Sequence, residues 1–290
     1  MKINKILSLT LVVAAIAAIF SACGKTSNTA TSSKPKTTST INQTIKLGVV
    51  GSDKELWIPA QKKLKQEGIN LEFVEFSDYV TPNKALSNGD IDLNAFQHQV
   101  YLDSEIASNG YKIETIGYTY LSPLNLYSKK IDSVDKLKSG DVVAVPNDAT
   151  NEGRALKVLE HANIIKLKAA APFSPTIKDI EKYNIAITIK ELAANTITSA
   201  LPDVTAAIIN GNYAADFGLK NNDAIFKDDG TGSEKYWNLI AARSEDLKKA
   251  DRVKIFKKII DAFHQPATEE VFNTTFKGAY IKAGWNADLL

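Results

Sequence analysis

The sequence predicts an α/β protein of two lobes, each a parallel or mixed sheet flanked by helices. From residue 45 onward, short apolar runs alternate with amphipathic stretches, which is typical of strands alternating with helices. This alternation starts again after Asp132, so we expect two sheets rather than one. The chain after residue 44, about 245 residues, is long enough for two lobes of ordinary size.

The first 22 residues have the features of a signal peptide. Lys2 and Lys5 precede the uncharged run ILSLTLVVAAIAAIF, and small residues stand just before Cys23. The apolar run is short for a membrane span, which needs about 20 residues. We therefore interpret residues 1–22 as a targeting segment rather than as part of the fold.

Residues 23–44 are predicted to form a flexible tether, because this Ser/Thr-rich segment cannot bury enough surface to offset the entropy lost on ordering. Cys23 is the only cysteine of the chain, so an internal disulfide is excluded. The net charge is +2, and loss of Lys2 and Lys5 would leave the mature chain neutral. Nucleic acid is therefore not expected as a partner.

Lobe one is predicted to comprise residues 45–127 together with residues 234–290. It begins with a strand, IKLGVV, a helix, KELWIPAQKKLKQEG, and a second strand, INLEFVEF, in the spacing of a parallel βαβ unit. The next predicted elements are a helix at 82–86, a strand at 91–96, a helix at 97–108 and two strands within 113–127, separated by Ser122 and Pro123.

Lobe two is predicted to comprise residues 128–233. Its elements are a helix in SVDKLKSG, a strand in VVAVP, helices in EGRALKVLEHANI and TIKDIEKY, and strands at 185–189 and 203–209. The stretch SEKYWNLIAAR then returns to lobe one as a strand, and two amphipathic helices at 246–263 and 268–276 close the chain.

The stretch DVVAVPNDATNEGRALKVL, residues 141–159, is a candidate anion site. Its apolar run is typical of a strand buried on both faces, and Pro146 ends that strand. The polar NDATN turn opens a helix whose N-terminal amides and dipole favour an anion. Arg154 adds a planar fork of donors suited to a carboxylate. An ordinary capped helix with a surface arginine is the alternative. If Arg154 instead lines a ligand cleft, we expect it to be exposed in the empty protein and to contribute little to its stability.

The sequence contains none of the motifs GxxxxGK[ST], GxGxxG, GxSxG and HExxH. The histidines, at positions 98, 161 and 264, lack the close spacing of zinc ligands. A metal site from Asp90, Asp92, His98 and Asp103 can be drawn, but no ligand motif supports it. We therefore predict no catalytic residues, no metal and no cofactor, with an α/β enzyme as the rival class.

Polar and aromatic residues follow the predicted strands, at the ends where open α/β sheets bind ligands. They are Tyr79 after EFVEF, Phe96, His98 and Tyr101 after IDLNA, Asn151 and Arg154 after VVAVP, and Asn212 after TAAII. One cation with amides, hydroxyls and rings suits a free amino acid with an apolar side chain. Rings also favour a thioether through sulfur–aromatic contact. For each ring taken alone, core packing is the alternative.

Four segments of the chain are distinctive in their order and spacing: FSDYVTPNKALSNGDIDLNAFQHQVYLD, VAVPNDATNEGRAL, INGNYA and YWNLIAARSED. They resemble the corresponding segments of the NlpA-type lipoproteins, the methionine receptors of ABC importers. The resemblance extends from residue 45 to the C-terminus. It implies a two-lobed, periplasmic-binding-protein-like fold with L-methionine in the cleft between the lobes. It also implies delivery of the ligand to a membrane permease with a cytoplasmic ATPase.

The resemblance also implies functional residues. By motif, it assigns ligand binding to Tyr79, Phe96, His98, Tyr101, Asn151, Arg154, Asn212 and Asn238. The sequence before Cys23 resembles a bacterial lipobox, so Cys23 would carry a lipid and anchor the protein to the extracytoplasmic face of the cell membrane. Phe20 departs from the leucine usual there, and a soluble exported protein with a spare thiol is the alternative.

Two further departures from the family pattern concern the pocket and its ligand. Ala149 stands where proline is common, which affects the stiffness of the loop. Asn125 stands where a small residue is more usual, and if it faces the cleft it would add a hydrogen bond and change the preferred ligand. The alternative ligands are D-methionine, a methionine-containing dipeptide or another apolar amino acid.

Overall fold

The computed structural model describes residues 43–228, 233–277 and 279–290. The predicted signal peptide, the lipidation site Cys23 and most of the tether lie outside the described residues. Gln43 and Thr44, which we predicted as tether, are instead the first residues of a strand, because they pair with Ile69 and Asn70. Within the described ranges, no helix is long and apolar enough to cross a membrane.

Thirteen strands and eight α-helices make up the described part of the chain. The strands are β1 (Gln43–Val50), β2 (Ile69–Phe76), β3 (Leu93–Asn94), β4 (Ile113–Leu121), β5 (Leu124–Tyr127), β6 (Val142–Pro146), β7 (Ile165–Leu167), β8 (Ile180–Tyr183), β9 (Thr188–Leu192), β10 (Ala206–Asn210), β11 (Ala224–Phe226), β12 (Trp237–Arg243) and β13 (Ile281–Lys282). The helices are α1 (Ile58–Gln66), α2 (Thr81–Asn88), α3 (Gln99–Asn109), α4 (Ala149–His161), α5 (Ile197–Ala200), α6 (Gly211–Asp216), α7 (Ala250–Phe263) and α8 (Pro266–Thr274).

The first sheet has six strands in the order β13-β4-β12-β3-β1-β2. β1 runs parallel to β2 and β3, whereas β12 runs antiparallel to β3 and β4, so the sheet is mixed. Leu47 and Ile240 of this sheet belong to a buried cluster with Trp57, Phe256 and Phe263. The rings of Trp57 and Phe263 lie 4.3 Å apart, which ties the segment before α1 to α7.

The second sheet has five strands in the order β11-β5-β10-β6-β9. β6 is central and runs parallel to β9 and β10, as expected for an apolar strand covered on both faces. Val143 and Val145 pack with Leu156 and Leu159 of α4 on one face. The other face carries Ala144 in a cluster with residues of both sheets. The predicted pair of sheets is therefore present.

The chain leaves the first sheet between β4 and β5 and returns to it at β12. We predicted the first boundary after residue 127, but β5 pairs antiparallel with β10 of the second sheet. The crossing therefore falls at Ser122 and Pro123, because proline cannot donate a ladder hydrogen bond and so interrupts the run. β12 pairs with β3 and β4, so the predicted return of this stretch to the first sheet is confirmed.

Several predicted elements of the second lobe were wrong. TIKDIEKY is not a helix: a short 3-10 turn is followed by β8, which pairs with β7 in a separate two-stranded sheet. Ile177 and Ile180 have helical spacing, but the Thr176–Asp179 capping box closes only one turn and the pairing with β7 then prevails. SVDKLKSG likewise forms only a 3-10 turn at Val134–Lys136.

Candidate functional site

A cavity lies between the two sheets. All eight residues that we predicted to bind the ligand line it: Tyr79, Phe96, His98, Tyr101, Asn151, Arg154, Asn212 and Asn238. They come from segments that follow β2, β3, β6 and β10, together with β12. The structure therefore brings together residues up to 159 positions apart, at the strand ends where this class binds small molecules.

One wall of the cavity is aromatic. The Tyr79 ring lies 5.9 Å from Phe96 and 6.1 Å from Tyr101, and Tyr213 packs 5.0 Å from Tyr79 on another side. The Tyr101 hydroxyl donates to the carbonyl oxygen of Tyr79 at 3.1 Å, which fixes the two rings relative to each other. This wall can hold an apolar or thioether side chain.

His98 begins α3 and is neutral. Its Nδ1 accepts a hydrogen bond from the backbone N–H of Tyr101 at 3.1 Å, so the ring proton belongs on Nε2, which faces Asn151 Oδ1 at 3.4 Å. Burial and the nearby Arg154 cation lower the pKa of His98 to about 3. The imidazole therefore acts as a neutral donor and as part of the aromatic wall.

Arg154 is buried rather than exposed, which corrects the expectation of an arginine in an open cleft. Its side chain is 3% exposed, and Nη2 donates to Asp228 Oδ2 at 2.6 Å and to the carbonyl oxygen of Ser122 at 2.8 Å. The Tyr236 ring lies 4.8 Å from Cζ. Arg154 Nε is buried without a hydrogen-bond partner among the described residues, so a donor remains for a ligand.

The N-terminus of α4 is already capped by a carboxylate of the chain. Asp148 Oδ1 accepts from the backbone N–H of Asn151 and from its side-chain amide, both at 3.0 Å, and from the Thr150 hydroxyl at 2.9 Å. The predicted anion site at these amides is therefore partly filled by Asp148. The guanidinium of Arg154 is a better candidate for an anion than the end of the helix.

Three asparagines complete the polar side of the cavity. Asn151 Oδ1 accepts from the Asn210 amide at 3.1 Å, and Asn212 Oδ1 accepts from the Tyr79 hydroxyl at 2.5 Å. Asn210 Oδ1 and Asn212 Nδ2 are buried, and the described residues offer neither a partner. Since buried polar atoms are normally paired, these two atoms mark where a polar ligand would bind.

Asp53 was missed as a site residue in the sequence. It lies in the 3-10 turn after β1, lines the cavity and accepts from the Tyr280 hydroxyl at 3.0 Å. Burial raises the pKa of Asp53 from 3.8 to about 7. The rule that identified the other residues, a polar residue just past a strand end, could have found it in GSD after IKLGVV.

Asn125 does not line the cavity, so the condition under which it would add a hydrogen bond to the ligand is not met. Its side chain instead accepts from the backbone N–H of Asp228 at 2.9 Å and donates to Asn221 at 2.6 Å. Gly211 does line the cavity, and a Cβ there would collide with the Ser122 hydroxyl. The wall at the crossing strands is therefore closely packed.

Two lobes joined by crossing strands, with a buried cavity of opposite charges and aromatic rings between them, define a two-lobed substrate-binding protein of the periplasmic type. The chain belongs to the NlpA lipoprotein family, whose family model matches residues 45–284. The resemblance predicted from the sequence motifs is therefore confirmed.

Several relatives of the chain carry methionine in their names. It is 44% identical over 246 residues to the D-methionine-binding lipoprotein MetQ of Salmonella typhi, covering 83% of this chain and 88% of that protein. It is 42% identical to a nutrient-binding protein of Burkholderia cenocepacia bound to methionine, with a TM-score of 0.77 over 82% of this chain and 99% of that one. The substrate-binding protein of a methionine transporter from Streptococcus pneumoniae is 34% identical, with a TM-score of 0.78 over 83% and 95%.

Proposed function

We propose that this protein is the methionine receptor of an ABC importer: it captures L-methionine and delivers it to a membrane permease driven by a cytoplasmic ATPase. The observation that carries the proposal is the cavity itself, in which a cationic, an acidic and an aromatic wall meet at one buried site. Relatives at 34–44% identity that bind methionine or serve its transport support the choice of ligand.

In this proposal, the ligand α-carboxylate binds at Arg154, where Nε has no hydrogen-bond partner among the described residues. A charge-assisted bond to a guanidinium is stronger than one between neutral groups. The α-ammonium binds at Asp53 and at Asn210 Oδ1, an acceptor for which the described residues offer no donor. Binding of an ammonium favours the ionised form of Asp53, so ligand binding near neutral pH releases a proton.

The thioether side chain of the ligand lies against Tyr79, Phe96 and Tyr101 in this proposal. The ring spacings of 5.9–6.1 Å make one continuous apolar wall, to which a polarizable sulfur adapts better than a branched aliphatic chain. His98 and Asn238 border the same wall. They are linked by a β-bridge, which joins the start of α3 to β12.

We further propose that the protein is not an enzyme and that a lipid on Cys23 anchors it at the extracytoplasmic face of the membrane. The name of the family and the sequence before Cys23 support the anchor. Replacement of Cys23 by serine should move the protein from the membrane to the soluble fraction without changing its ligand affinity. Full retention of that variant in the membrane would contradict the lipid anchor.

D-Methionine is the second candidate ligand, because the relatives at 42–44% identity include proteins named for binding it. The cavity has a proposed carboxylate site and a proposed ammonium site. With the side chain in the same position, L- and D-methionine place their carboxylate and ammonium groups differently relative to these two sites. Another apolar amino acid or a methionine-containing dipeptide would use the same charged groups.

A thermal-shift screen of the purified protein, unfolded and refolded to remove carried-over ligand, tests the proposal. A ligand at 100 times its dissociation constant should stabilise the fold by about 2.7 kcal/mol. L-Methionine should give the largest shift, with D-methionine, leucine and methionine-containing dipeptides as comparisons. A shift with some other metabolite and none with methionine or its derivatives would refute the proposed ligand.

A further inference from the structure

Asp228 is a buried acid that the proposed function does not use. Its side chain is 0% exposed, and its Oδ2 lies 2.6 Å from Nη2 of Arg154. Arg154 lines the cavity, whereas Asp228 is not among the lining residues. Asp228 therefore contacts the guanidinium from the protein side, and only the cationic half of the pair faces a ligand.

The carboxylate of Asp228 is fixed by the segment where the chain crosses between the sheets. The backbone N–H of Leu124 donates to Oδ2 at 3.1 Å, and the backbone N–H of Asp228 donates to Asn125 Oδ1 at 2.9 Å. Asn125 is in turn held by Asn221. Asn125, the residue that departs from the family pattern, thus orients Asp228 instead of contacting the cavity.

The same segment also fixes Arg154. The carbonyl oxygen of Ser122 accepts from Nη2 at 2.8 Å, so Nη2 donates to both Ser122 and Asp228. The Tyr236 ring stands 4.8 Å from Cζ. With Nη2 bound to the protein, the guanidinium has a set orientation in which Nε lacks a partner among the described residues.

The charge of Arg154 is cancelled by direct contact with Asp228. His98 stays neutral because burial and the Arg154 cation lower its pKa to about 3. Asp53, which also lines the cavity, keeps its proton up to about pH 7 because burial raises its pKa. A bound carboxylate therefore meets a guanidinium that already has a carboxylate partner.

We propose that Asp228 is a positioning residue that presents Arg154 to the ligand and makes the cavity selective for zwitterions over simple anions. This inference rests on the proposed function, because it takes the Arg154 side of the cavity as the carboxylate site. Asp228 repels a second carboxylate, so an anion binds well only when an ammonium on the same molecule contributes at Asp53.

Three ligands of one shape series test the proposal: L-methionine, 4-(methylthio)butanoate, which lacks the ammonium, and 3-(methylthio)propylamine, which lacks the carboxylate. Their dissociation constants are measured by competition calorimetry at pH 7.5 for wild type and Asp228→Asn. The affinity ratio of the butanoate to the propylamine should rise by about tenfold or more in the variant, because one negative charge is removed near the carboxylate site. A merely structural loss would weaken all three ligands alike.

Two control variants separate charge from position. Asp228→Glu keeps the charge and should keep the wild-type ratio. Asp223→Asn removes an exposed acid of the same lobe and should also keep it. An Asp228→Asn protein that folds and retains the wild-type ratio would overturn the proposal.

Should Asp228→Asn fail to fold, Asn125→Ser tests the orientation of Asp228 indirectly. This substitution removes the side-chain amide oxygen that accepts from the backbone N–H of Asp228. L-Methionine and 4-(methylthio)butanoate should then bind more weakly, whereas the affinity for 3-(methylthio)propylamine should not change. Equal affinity of all three ligands for this variant and wild type would count against the proposal.

The proposed function can fail separately, since wild type would then bind no methionine. The contact between Asp228 and Arg154, on which the inference depends, is still tested in that case by the melting of Arg154→Met, Asp228→Asn and the double variant. Coupled substitutions, with the double variant more stable than the sum of the two losses predicts, would support the ion pair. Additive losses would contradict it.

Discussion

Arg154 is the residue whose surroundings differ most from what its sequence context indicates. VVAVPNDATNEGRAL predicts an arginine in the first turns of a helix after a buried strand, and the structure confirms that position on α4. Its partner could not be predicted, because Asp228 lies 74 positions along the chain and is brought there only by the pairing of β11 with β5. Motif spacing places residues on elements, whereas tertiary packing selects their ion pairs.

The ion pair gives Arg154 a role in stability in addition to its proposed role in binding. Arg154→Ala leaves the Asp228 carboxylate buried without its guanidinium, and breaking a buried pair on one side costs about 3–5 kcal/mol. We expect the free energy of unfolding of the ligand-free protein, measured with urea, to fall by about this amount. Arg154→Lys should recover part of the loss, and an unchanged unfolding midpoint in Arg154→Ala would contradict the ion pair.

Asp53 should govern how stability depends on pH. The unfolded chain loses the Asp53 proton near pH 3.8, whereas the folded protein keeps it to about pH 7, so the folded state binds more protons in this window. The contribution of Asp53 to stability is therefore lost as pH rises from about 4 to 7. His98 has the opposite sign, because the lowered pKa near 3 destabilises the fold as pH falls below 6.5.

The Asp53→Asn variant separates the effect of Asp53 on the pH dependence of stability from that of His98. Wild type should lose the stability contributed by Asp53 between pH 4 and 7, whereas the variant has no such contribution to lose. The free energy of unfolding of the variant minus that of wild type should therefore rise by some kcal/mol over this range. Methionine affinity of wild type should increase as pH rises through 7, and that of the variant should be low and nearly flat. Parallel stability curves for the two proteins over this range would show that Asp53 is not protonated in the fold.

At the scale of elements, long apolar or strictly periodic segments were predictable. β1, β2, β6 and β10 are short apolar runs bounded by turn residues, and they lie close to where the sequence places them. β7 and β8 were not predictable, since their two-stranded sheet depends on a pairing between segments that have ambiguous periodicity. The pairing partner of β5 was likewise set by the position of the crossing, which periodicity does not encode.

Helix α4 carries a glycine whose role is to admit a neighbouring segment. A Cβ on Gly153 would lie 2.8 Å from Ser174 Cα and 3.0 Å from Pro175 Cδ, and both atoms are too constrained to move aside cheaply. Phe173 of the same segment stacks 5.4 Å from Tyr236, the ring that flanks Arg154. Close packing at Gly153 therefore bears on the ligand site.

Gly153→Ala should destabilise the protein by about 1–3 kcal/mol through this overpacking. The direction of the change in stability is informative, because a glycine-to-alanine substitution inside an unobstructed helix stabilises the protein by about 0.5–1 kcal/mol. Urea unfolding measures the change, and methionine affinity should fall in the same variant. A gain in stability would show that the segment at Ser174 can move away.

At the scale of the whole molecule, a few polar contacts hold the two sheets closed around the cavity. Asp216 Oδ1 accepts from the backbone N–H of Ser52 at 2.8 Å, across from α6 to the segment after β1. Gly51 has a φ of +56°, and a Cβ there would collide with the Asp216 carboxylate, so glycine permits the approach. Asn195 and Tyr213 both donate to the carbonyl oxygen of Ser77.

Asp216→Ala should shift the molecule toward an open form. Loss of the contact to Ser52 removes about 1–3 kcal/mol from the closed state, because a hydrogen bond to a charged group is worth that much. Methionine should then bind about 5- to 150-fold more weakly, and small-angle scattering of the ligand-free variant should give a larger radius of gyration. Asp223→Ala is the matched control, and equal radii and affinities for the two variants would contradict the role of Asp216.

The binding site as a whole was more predictable than its chemistry. Motifs placed eight residues at one cavity, because strand ends of open sheets converge. Asn210 and Asp228 were missed, since each gains its role from burial and from partners distant in sequence. Asp53 was missed although it follows β1 directly, where the strand-end rule applies. Which charges are cancelled and which donors lack partners is decided by packing, and the sequence carries no local signal for it.

Titration calorimetry of the refolded protein with L-methionine, for wild type and Arg154→Ala side by side, tests the central claim most directly. Wild type should bind one methionine per chain, and the variant should bind about 30- to several-thousand-fold more weakly, because removing one partner of a desolvated charge pair costs about 2–5 kcal/mol. Methionine amide, which lacks the carboxylate, should bind wild type weakly and be far less sensitive to the substitution. Equal methionine affinity in the two proteins, with the variant shown to be folded, would contradict a carboxylate site at Arg154.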